Sequence, residues 1–206
     1  MARRIGNYGG TFSPPHIGHI SAAKAFLEEI KPDSLLIMPT FTPPHKVAYD
    51  IDPLHRMNMA KLAFSESEGF GDNVTVCDFE LNKKDVSYTY QTLEHFASCD
   101  TELYFLCGTD MFLTLDKWKN PDIIFKLSTI VLALREDITE EISEKISLAK
   151  DFYEKNYSAK IIVLKNRPIT VSSSELRSAI LSGEDASAFL TKPVYDYIKN
   201  NKLYLS

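Results

Sequence analysis

The architecture of this chain can be inferred from one segment, residues 9–19, which reads GGTFSPPHIGH. An apolar run precedes it, and its two glycines lack a Cβ, so the chain can turn sharply and a ligand can approach the backbone. Helical spacing of apolar residues begins at Ile17, which predicts a helix whose first turn holds His16 and His19. Free N–H groups at a helix start attract anions, and two imidazoles add hydrogen-bond donors. The segment therefore predicts a site for nucleotide phosphates.

Apolar runs of strand length alternate with helical patterns along the chain. Strands are predicted at residues 5–8, 34–38, 73–79, 103–107, 129–134 and 161–164. Helices are predicted at residues 17–30, 53–67, 90–97, 121–126, 140–153, 174–181 and 193–200. This alternation predicts a Rossmann-like α/β fold, a doubly wound and mostly parallel sheet with helices on both faces and ligands beyond the carboxyl ends of the strands. Because no repeat or low-complexity linker divides the 206 residues, we expect a single domain over residues 1–206.

The composition argues against some classes of binding partner and indicates the cellular compartment. The formal net charge of −5 argues against broad nucleic-acid binding, which needs a basic surface. The three cysteines form no C-x-x-C pair, so they suggest neither a disulfide framework nor a zinc site, and no metal ligand is assigned. No run approaches transmembrane length, and no continuous apolar stretch follows Arg3 and Arg4 as it would in a signal peptide. We expect a cytoplasmic protein that binds neither nucleic acid nor membrane.

A proline-rich loop follows the second predicted strand, with the sequence PTFTPPHK over residues 39–46. Its prolines exclude regular structure, so His45 and Lys46 are carried on a stiff loop. A lysine on a loop is usually only a surface residue, but this loop follows a strand at the edge where α/β sheets bind ligands. His55 and Arg56 could add charge to the same rim, although each alone is typical of a solvated helix residue.

Three further positions each allow a structural and a functional interpretation. In the segment DVSYTY, residues 85–90, Ser87 or Thr89 is a natural helix N-cap. Asp110 ends the fourth strand and fits either a helix cap or a contact with a ribose. Trp118 is the only tryptophan, and its polar neighbours indicate partial exposure and a flat surface for a ring, whereas most tryptophans belong to the core.

A second segment that predicts phosphate binding is SSSELR at residues 172–177. Three hydroxyls precede a predicted helix whose first turn carries Arg177, and hydroxyls, N–H groups and a guanidinium can all hold phosphate oxygens. The alternative is a serine-capped helix with a surface arginine. Arg135, just past the fifth strand, is similarly open between a phosphate contact and a surface charge.

The first segment resembles the G-G-T-F-D-P-x-H-x-G-H signature of the nucleotidyltransferase superfamily, whose members move a nucleoside monophosphate from a triphosphate to an acceptor. Over almost the whole chain the motifs together resemble the bacterial nicotinate-mononucleotide adenylyltransferase family, whose S-S-T-x-I-R is matched by residues 172–177. The chain departs from the family pattern at Ser13, where Asp is usual, at Thr109, where Ala is common, and at Ser174, where Thr is usual. Ser13 removes a carboxylate from the loop but leaves both histidines in place.

The resemblance implies transfer of AMP from ATP to nicotinate mononucleotide, giving nicotinate adenine dinucleotide and pyrophosphate in NAD biosynthesis, with Mg²⁺ accompanying ATP. It implies catalytic roles for His16, His19, Lys46 and Arg177. It implies ATP contacts from Gly9, Gly10, Thr11, Phe12, Gly18, Gly108, Asp110, Ser172, Ser173 and Ser174. It implies contacts with nicotinate mononucleotide from Thr40, His45, Tyr88, Thr89 and Trp118, and Arg135 is a further candidate for a phosphate contact.

Other functions share part of this pattern. Class I aminoacyl-tRNA synthetases also contain H-x-G-H, but this chain has no K-M-S-K-S segment and no obvious anticodon-binding module. Nicotinamide mononucleotide adenylyltransferase, phosphopantetheine adenylyltransferase and a nucleotide-binding regulator without catalysis stay open as alternatives. A turnover assay separates the regulator from the enzymes. The sequence also leaves open whether the chain forms a homo-oligomer.

Overall fold

The computed structural model describes residues 2–42, 51–135 and 139–205. These ranges contain six strands: β1 (Arg3–Gly10), β2 (Ser34–Pro39), β3 (Val74–Val76), β4 (Thr101–Gly108), β5 (Ser128–Ala133) and β6 (Lys160–Val163). They also contain nine α-helices: α1 (Ile17–Ile30), α2 (Pro53–Ala63), α3 (Phe79–Lys83), α4 (Thr89–Phe96), α5 (Thr109–Phe112), α6 (Pro121–Leu127), α7 (Glu140–Tyr157), α8 (Ser173–Leu181) and α9 (Lys192–Asn200). Short 3₁₀ turns lie at Glu66–Glu68, Leu115–Lys117 and Ser187–Phe189.

The six strands form one parallel sheet in the order β3-β2-β1-β4-β5-β6. Neighbouring residues of a strand point to opposite faces, so Phe105 and Leu106 of β4 belong to two different apolar clusters. Helices α1, α2, α8 and α9 contribute to the cluster on the face of Leu106, and α4, α5, α6 and α7 to the cluster on the face of Phe105. The predicted doubly wound α/β fold is therefore confirmed.

Three predicted elements differ from the observed ones by more than two residues at one end. The strand predicted at 73–79 is shorter, because only Val74–Val76 pairs with β2 and Phe79 already begins α3. The helix predicted at 53–67 ends at Ala63, since the hydroxyl of Ser65 donates to the carbonyl of Leu62 (2.9 Å) and a 3₁₀ turn follows. The helix predicted at 140–153 continues to Tyr157, whose ring stacks on Phe125 with 4.7 Å between the centroids.

Within the described ranges, none of the helices has the length and apolar character needed to cross a membrane.

Candidate active site

A cavity of about 800 Å³ opens at the carboxyl ends of the strands, where the loops after β1 and β4 diverge. The direction of winding reverses between these two strands, and doubly wound sheets bind ligands at this point. The predicted site residues that line the cavity are Gly9, Gly10, Thr11, Phe12, His16, His19, Thr40, Tyr88, Thr89, Asp110, Trp118, Arg135, Ser172, Ser173, Ser174 and Arg177. Gly18 and Gly108 do not line the cavity, and they lie beside His16 and Arg135, which do. His45 and Lys46 lie outside the described residues, and their roles stay predictions.

His16 and His19 lie side by side at the start of α1. His16 is the N-cap, in an extended backbone conformation (φ −142°, ψ 172°), so it precedes the first turn, and the helix itself begins at Ile17 as predicted. The main-chain N–H of His16 donates to Nδ1 of His19 over 3.2 Å, and the two ring centroids are 3.7 Å apart. Because Nδ1 of His19 accepts this bond, the neutral ring carries its proton on Nε2, which can act as a donor.

Burial keeps the imidazole of His16 uncharged. Only 3% of the residue is exposed, and this desolvation, helped by the charge of Arg135, lowers the pKa of His16 from 6.5 to about 3. Its Nδ1 is buried and has no hydrogen-bond partner among the described residues. This nitrogen is enclosed at the start of α1, where a Cβ on Gly18 would lie 3.1 Å from it, so it is not itself a contact for a ligand in the cavity.

Two glycines make room for the rings around this helix start. A Cβ on Gly18 would lie 3.1 Å from Cε1 and Nδ1 of His16 and 3.3 Å from Cγ1 of Val171. A Cβ on Gly10 would lie 2.9 Å from Cζ of Phe12, a buried residue with a positive φ of 49°. Both glycines are therefore explained by the packing of neighbouring rings. Gly18 leaves room for the ring of His16 and does not itself line the cavity.

The start of α8 is fastened to the β1–α1 loop (residues 11–16). The hydroxyl of Ser173 donates to the carbonyl of Pro14 (2.9 Å), and Nη1 of Arg177 donates to the carbonyl of Ser13 (2.8 Å). Ser172 is the N-cap of α8, and its hydroxyl accepts from the main-chain N–H of Glu175 (3.2 Å). The serine-cap interpretation is thus right for Ser172, while Ser173 and Arg177 bring a second helix start to the wall that holds the two histidines.

Gly108 and Asp110 are explained by Arg135. A Cβ on Gly108 would lie 2.8 Å from Cδ of Arg135, so the glycine lets this side chain cross the end of β4. Arg135 then pairs with Asp110, with 3.2 Å between Nη1 and Oδ1, and its charge also acts on the buried hydroxyl of Tyr8, whose pKa burial raises to about 12. Gly108, and not Asp110, occupies the N-cap of α5, so the cap interpretation of Asp110 is wrong.

The far end of the cavity is aromatic. Tyr88 is the N-cap residue of α4, so neither Ser87 nor Thr89 is the cap. Nζ of Lys119 lies 4.4 Å from the centroid of the Tyr88 ring, a cation–π contact between two residues that line the cavity. Trp118 is half-buried and packs edge-on against Phe105 with 6.1 Å between the centroids, as its polar neighbours predicted. This end offers flat rings and ammonium groups, and the opposite end offers helix starts and imidazoles.

Two residues near the cavity have roles that the sequence did not predict. Arg56, interpreted as solvated, is only 2% exposed and donates to carbonyls of the β1–α1 loop and of the segment after β2. Glu80, which directly follows the strand predicted at 73–79, lies in α3 and lines the cavity, and its Oε1 accepts from the hydroxyl of Thr92 (2.7 Å). Burial raises the pKa of Glu80. A charged residue inside an ordinary amphipathic pattern carries no local signal of burial, so only the tertiary structure reveals either role.

Carboxylates that could bind a metal are few at this site. Asp110 is paired with Arg135, and Glu80 is hydrogen-bonded to Thr92. In the part of the chain that the structure describes, no group of three or more His, Cys, Asp or Glu side chains is arranged to hold an ion. The donors that face the cavity are N–H groups, hydroxyls and cations, and these complement phosphate oxygens better than they complement a metal.

The chain is similar to known proteins over nearly its whole length. Residues 7–179 match the cytidylyltransferase-like family model. A protein of Clostridium botulinum strain Eklund 17B named a probable nicotinate-nucleotide adenylyltransferase is 34% identical over 203 residues, covering 98% of each chain. A protein of Clostridium kluyveri with the same name is 37% identical over 200 residues, covering 96% of this chain and 97% of that one.

A solved structure supports the fold. The nicotinic acid mononucleotide adenylyltransferase of Plasmodium falciparum, complexed with NaAD, superposes with a TM-score of 0.77 over 98% of this chain and 97% of that one, at 19% identity. This agreement at low identity confirms the Rossmann-like architecture. Together with the sequence identities, it leads to one conclusion: the chain belongs to the nicotinate-nucleotide adenylyltransferases of the cytidylyltransferase-like family.

Proposed function

We propose that this protein transfers AMP from ATP to nicotinate mononucleotide, a step of NAD biosynthesis that releases pyrophosphate. The observation that carries the proposal is the convergence of two helix starts and two imidazoles on one crevice whose far end is aromatic. Phosphates complement the first set of groups, and a pyridine ring complements the second. The relatives at 34% and 37% identity carry the name of this activity.

At the phosphate end, the protein orients the triphosphate and stabilises its charge. Nε2–H of His19 and the N–H groups at the start of α8 are donors for phosphate oxygens, and Arg177 supplies a positive charge beside them. A phosphate oxygen of the acceptor attacks the α-phosphorus of ATP in line, the new P–O bond forms, and the bond to pyrophosphate breaks. The acceptor is already an anion, so no general base is needed. The neutral His16 fits a role in hydrogen bonding rather than proton transfer.

At the aromatic end, Trp118 offers a face for the pyridine ring. Thr89 begins α4 and lines the cavity. The free N–H groups of the first turn of α4 therefore lie at the cavity, where they attract a carboxylate. The ammonium of Lys119, held over Tyr88, adds positive charge at the same end of the cavity. A site built to hydrogen-bond a carboxylate rejects an amide strongly, since buried donors would be left unpaired. We therefore propose that nicotinate mononucleotide is preferred over nicotinamide mononucleotide.

Mg²⁺ in this proposal enters as part of the MgATP substrate. It prefers phosphate oxygens and keeps several waters, which suits a cavity without a carboxylate cluster among its described residues. Bound to the phosphates, it would neutralise charge on the leaving pyrophosphate. We further propose that residues 1–206 act as one nucleotidyltransferase domain and that the protein works in the cytoplasm.

The test is pyrophosphate release from MgATP with three acceptors: nicotinate mononucleotide, nicotinamide mononucleotide and phosphopantetheine. Fast release with the nicotinate form alone is the expected result. Equal rates with the first two would keep the reaction but refute the carboxylate preference, and release with phosphopantetheine alone would favour that alternative. No release with any acceptor would favour a regulator.

Variants of the histidines test the proposed phosphate contacts. His16→Ala and His19→Ala should each lower turnover by about 10²-fold or more while circular dichroism stays unchanged, because each removes a preorganised contact to the reacting phosphates. His95→Ala is the matched control, since His95 is exposed and stacks on Phe79 outside the cavity lining. Near-normal turnover in both active-site variants would contradict the assignment.

A further inference from the structure

Arg56 is a buried cation that donates three hydrogen bonds to main-chain carbonyls. Its Nη1 donates to the carbonyl of Thr11 (3.0 Å) and to that of Thr40 (2.6 Å), and its Nη2 donates to the carbonyl of Phe41 (2.9 Å). Thr11 belongs to the β1–α1 loop, and the other two carbonyls belong to residues 40–42, named here the β2 extension. Arg56 is only 2% exposed, so its guanidinium has lost its hydration, and these carbonyls supply acceptors in place of water.

Arg56 acts where the backbone ladder between the two strands stops. The last pair of β1 and β2 is Gly10 with Pro39, followed by one bond from the N–H of Thr40 to the carbonyl of Gly10 (2.9 Å). Beyond this point the β1–α1 loop turns toward α1, and the β2 extension continues toward Ser87. The planar guanidinium spans the gap between them and fixes their separation through donors that are rigid relative to each other.

The β2 extension is in turn joined to the aromatic end of the cavity. The N–H of Phe41 donates to the hydroxyl of Ser87 (3.0 Å), and the N–H of Ser87 donates to the carbonyl of Thr42 (3.0 Å). Ser87 immediately precedes Tyr88 and Thr89, which line that end. A continuous set of hydrogen bonds therefore runs from the β1–α1 loop through Arg56 and the β2 extension to the segment proposed to hold the acceptor.

We propose that Arg56 is a positioning residue that sets the distance between the ATP half and the acceptor half of the site. It touches neither substrate in this role. In-line transfer requires the attacking oxygen and the α-phosphorus to be aligned, and a shift of about 1 Å between the two halves can cost about 10²-fold in rate. Each half keeps its own binding groups without Arg56, so the residue matters for the pair of substrates together more than for either one. This inference rests on the proposed function.

The experiment compares wild type, Arg56→Lys and Arg56→Met. Lysine keeps the charge, but its Nζ ends where Cζ of arginine lies, one bond short of the three carbonyls, and methionine removes the charge. Calorimetry should measure the affinity of each protein for ATP, for nicotinate mononucleotide and for nicotinate adenine dinucleotide, which spans both halves. We expect affinities for the two separate ligands to change less than about threefold and affinity for the dinucleotide to fall about tenfold or more, because a linked ligand needs both halves in register.

Kinetics give a second readout that a purely structural role would not move. With both substrates saturating, kcat of Arg56→Lys should fall about tenfold or more while each KM changes less than about threefold. Arg4→Lys is the matched control. Arg4 is a half-buried arginine at the opposite end of β1, where Nη1 donates to the carbonyl of Lys31 (3.2 Å) and Nε to the hydroxyl of Tyr104 (3.3 Å). Its variant should keep wild-type kcat and dinucleotide affinity.

The outcomes separate this inference from the proposed function. A wild-type protein that binds no dinucleotide would overturn the proposed function and this inference with it. Wild-type binding that Arg56→Lys retains unchanged would overturn the inference alone. Equal losses for all three ligands would also overturn it, since they would indicate general damage to the fold. If Arg56→Met does not fold, the lysine variant decides.

Discussion

Replacing His16 by asparagine tests whether burial holds this imidazole in its neutral form. A histidine in the unfolded chain titrates near 6.5, whereas the pKa of His16 in the folded protein is about 3. Below pH 6.5 the unfolded chain therefore takes up a proton that the folded protein refuses, and the free energy of unfolding falls by about 1.4 kcal/mol for each pH unit. Above pH 6.5 His16 is neutral in both states and does not change the free energy of unfolding. The free energy of unfolding then decreases as the pH falls from 6.5 toward 3. At pH 5 the loss is about 2 kcal/mol.

Asparagine suits this test because it does not titrate and is a favourable N-cap residue. Urea unfolding followed by the fluorescence of Trp118 gives the free energy of unfolding of both proteins at pH 7 and at pH 5. Between these values, wild type should lose about 2 kcal/mol more than His16→Asn, because their other titrating groups are the same. His95→Asn, at an exposed histidine, should follow wild type. Equal losses in wild type and His16→Asn would refute the argument that His16 is buried and neutral.

Two further substitutions test contacts on either side of the cavity. Gly108→Ala should raise the KM for ATP several-fold, because the new Cβ displaces Arg135, while losing a glycine at the N-cap lowers the free energy of unfolding by only about 1 kcal/mol. An unchanged KM would show that Arg135 does not act on ATP. Tyr204→Phe should lower the free energy of unfolding by about 1 kcal/mol, because its hydroxyl lies 3.1 Å from the buried hydroxyl of Ser13. An unshifted urea midpoint would contradict that contact.

Much of the fold follows from patterns that are local in the chain. The period of apolar residues predicted the helix from Ile17 to Ile30 with both bounds correct, and the central strands were found within two residues at each end. The segment 73–79 was misread because its apolar residues suit a strand, whereas only Val74–Val76 finds a partner in β2. Pairing depends on neighbours that are distant in sequence, so a periodic pattern alone does not determine where a strand ends.

The site was predictable to the extent that its residues belong to recognisable segments. The segments at residues 9–19 and 172–177 were expected to share one phosphate site, and the structure places both on the wall of one cavity. The partner of each residue was not predictable: Arg177 reaches the carbonyl of Ser13, and Gly108 makes room for Arg135. Such contacts join residues far apart in the chain, and their geometry exists only after the sheet has formed. The roles of His45 and Lys46 stay predictions.

The buried guanidinium of Arg56 also has a consequence for how the sequences of this family can diverge. The carbonyls of Thr11, Thr40 and Phe41 that accept its hydrogen bonds are main-chain atoms, which every amino acid supplies, proline included. Substitutions at these three positions therefore leave the acceptors in place, and no compensating change elsewhere restores a lost arginine. In an alignment, position 56 should be strongly constrained yet show no covariation with positions 11, 40 and 41, so methods that detect contacts from correlated substitutions should overlook this connection.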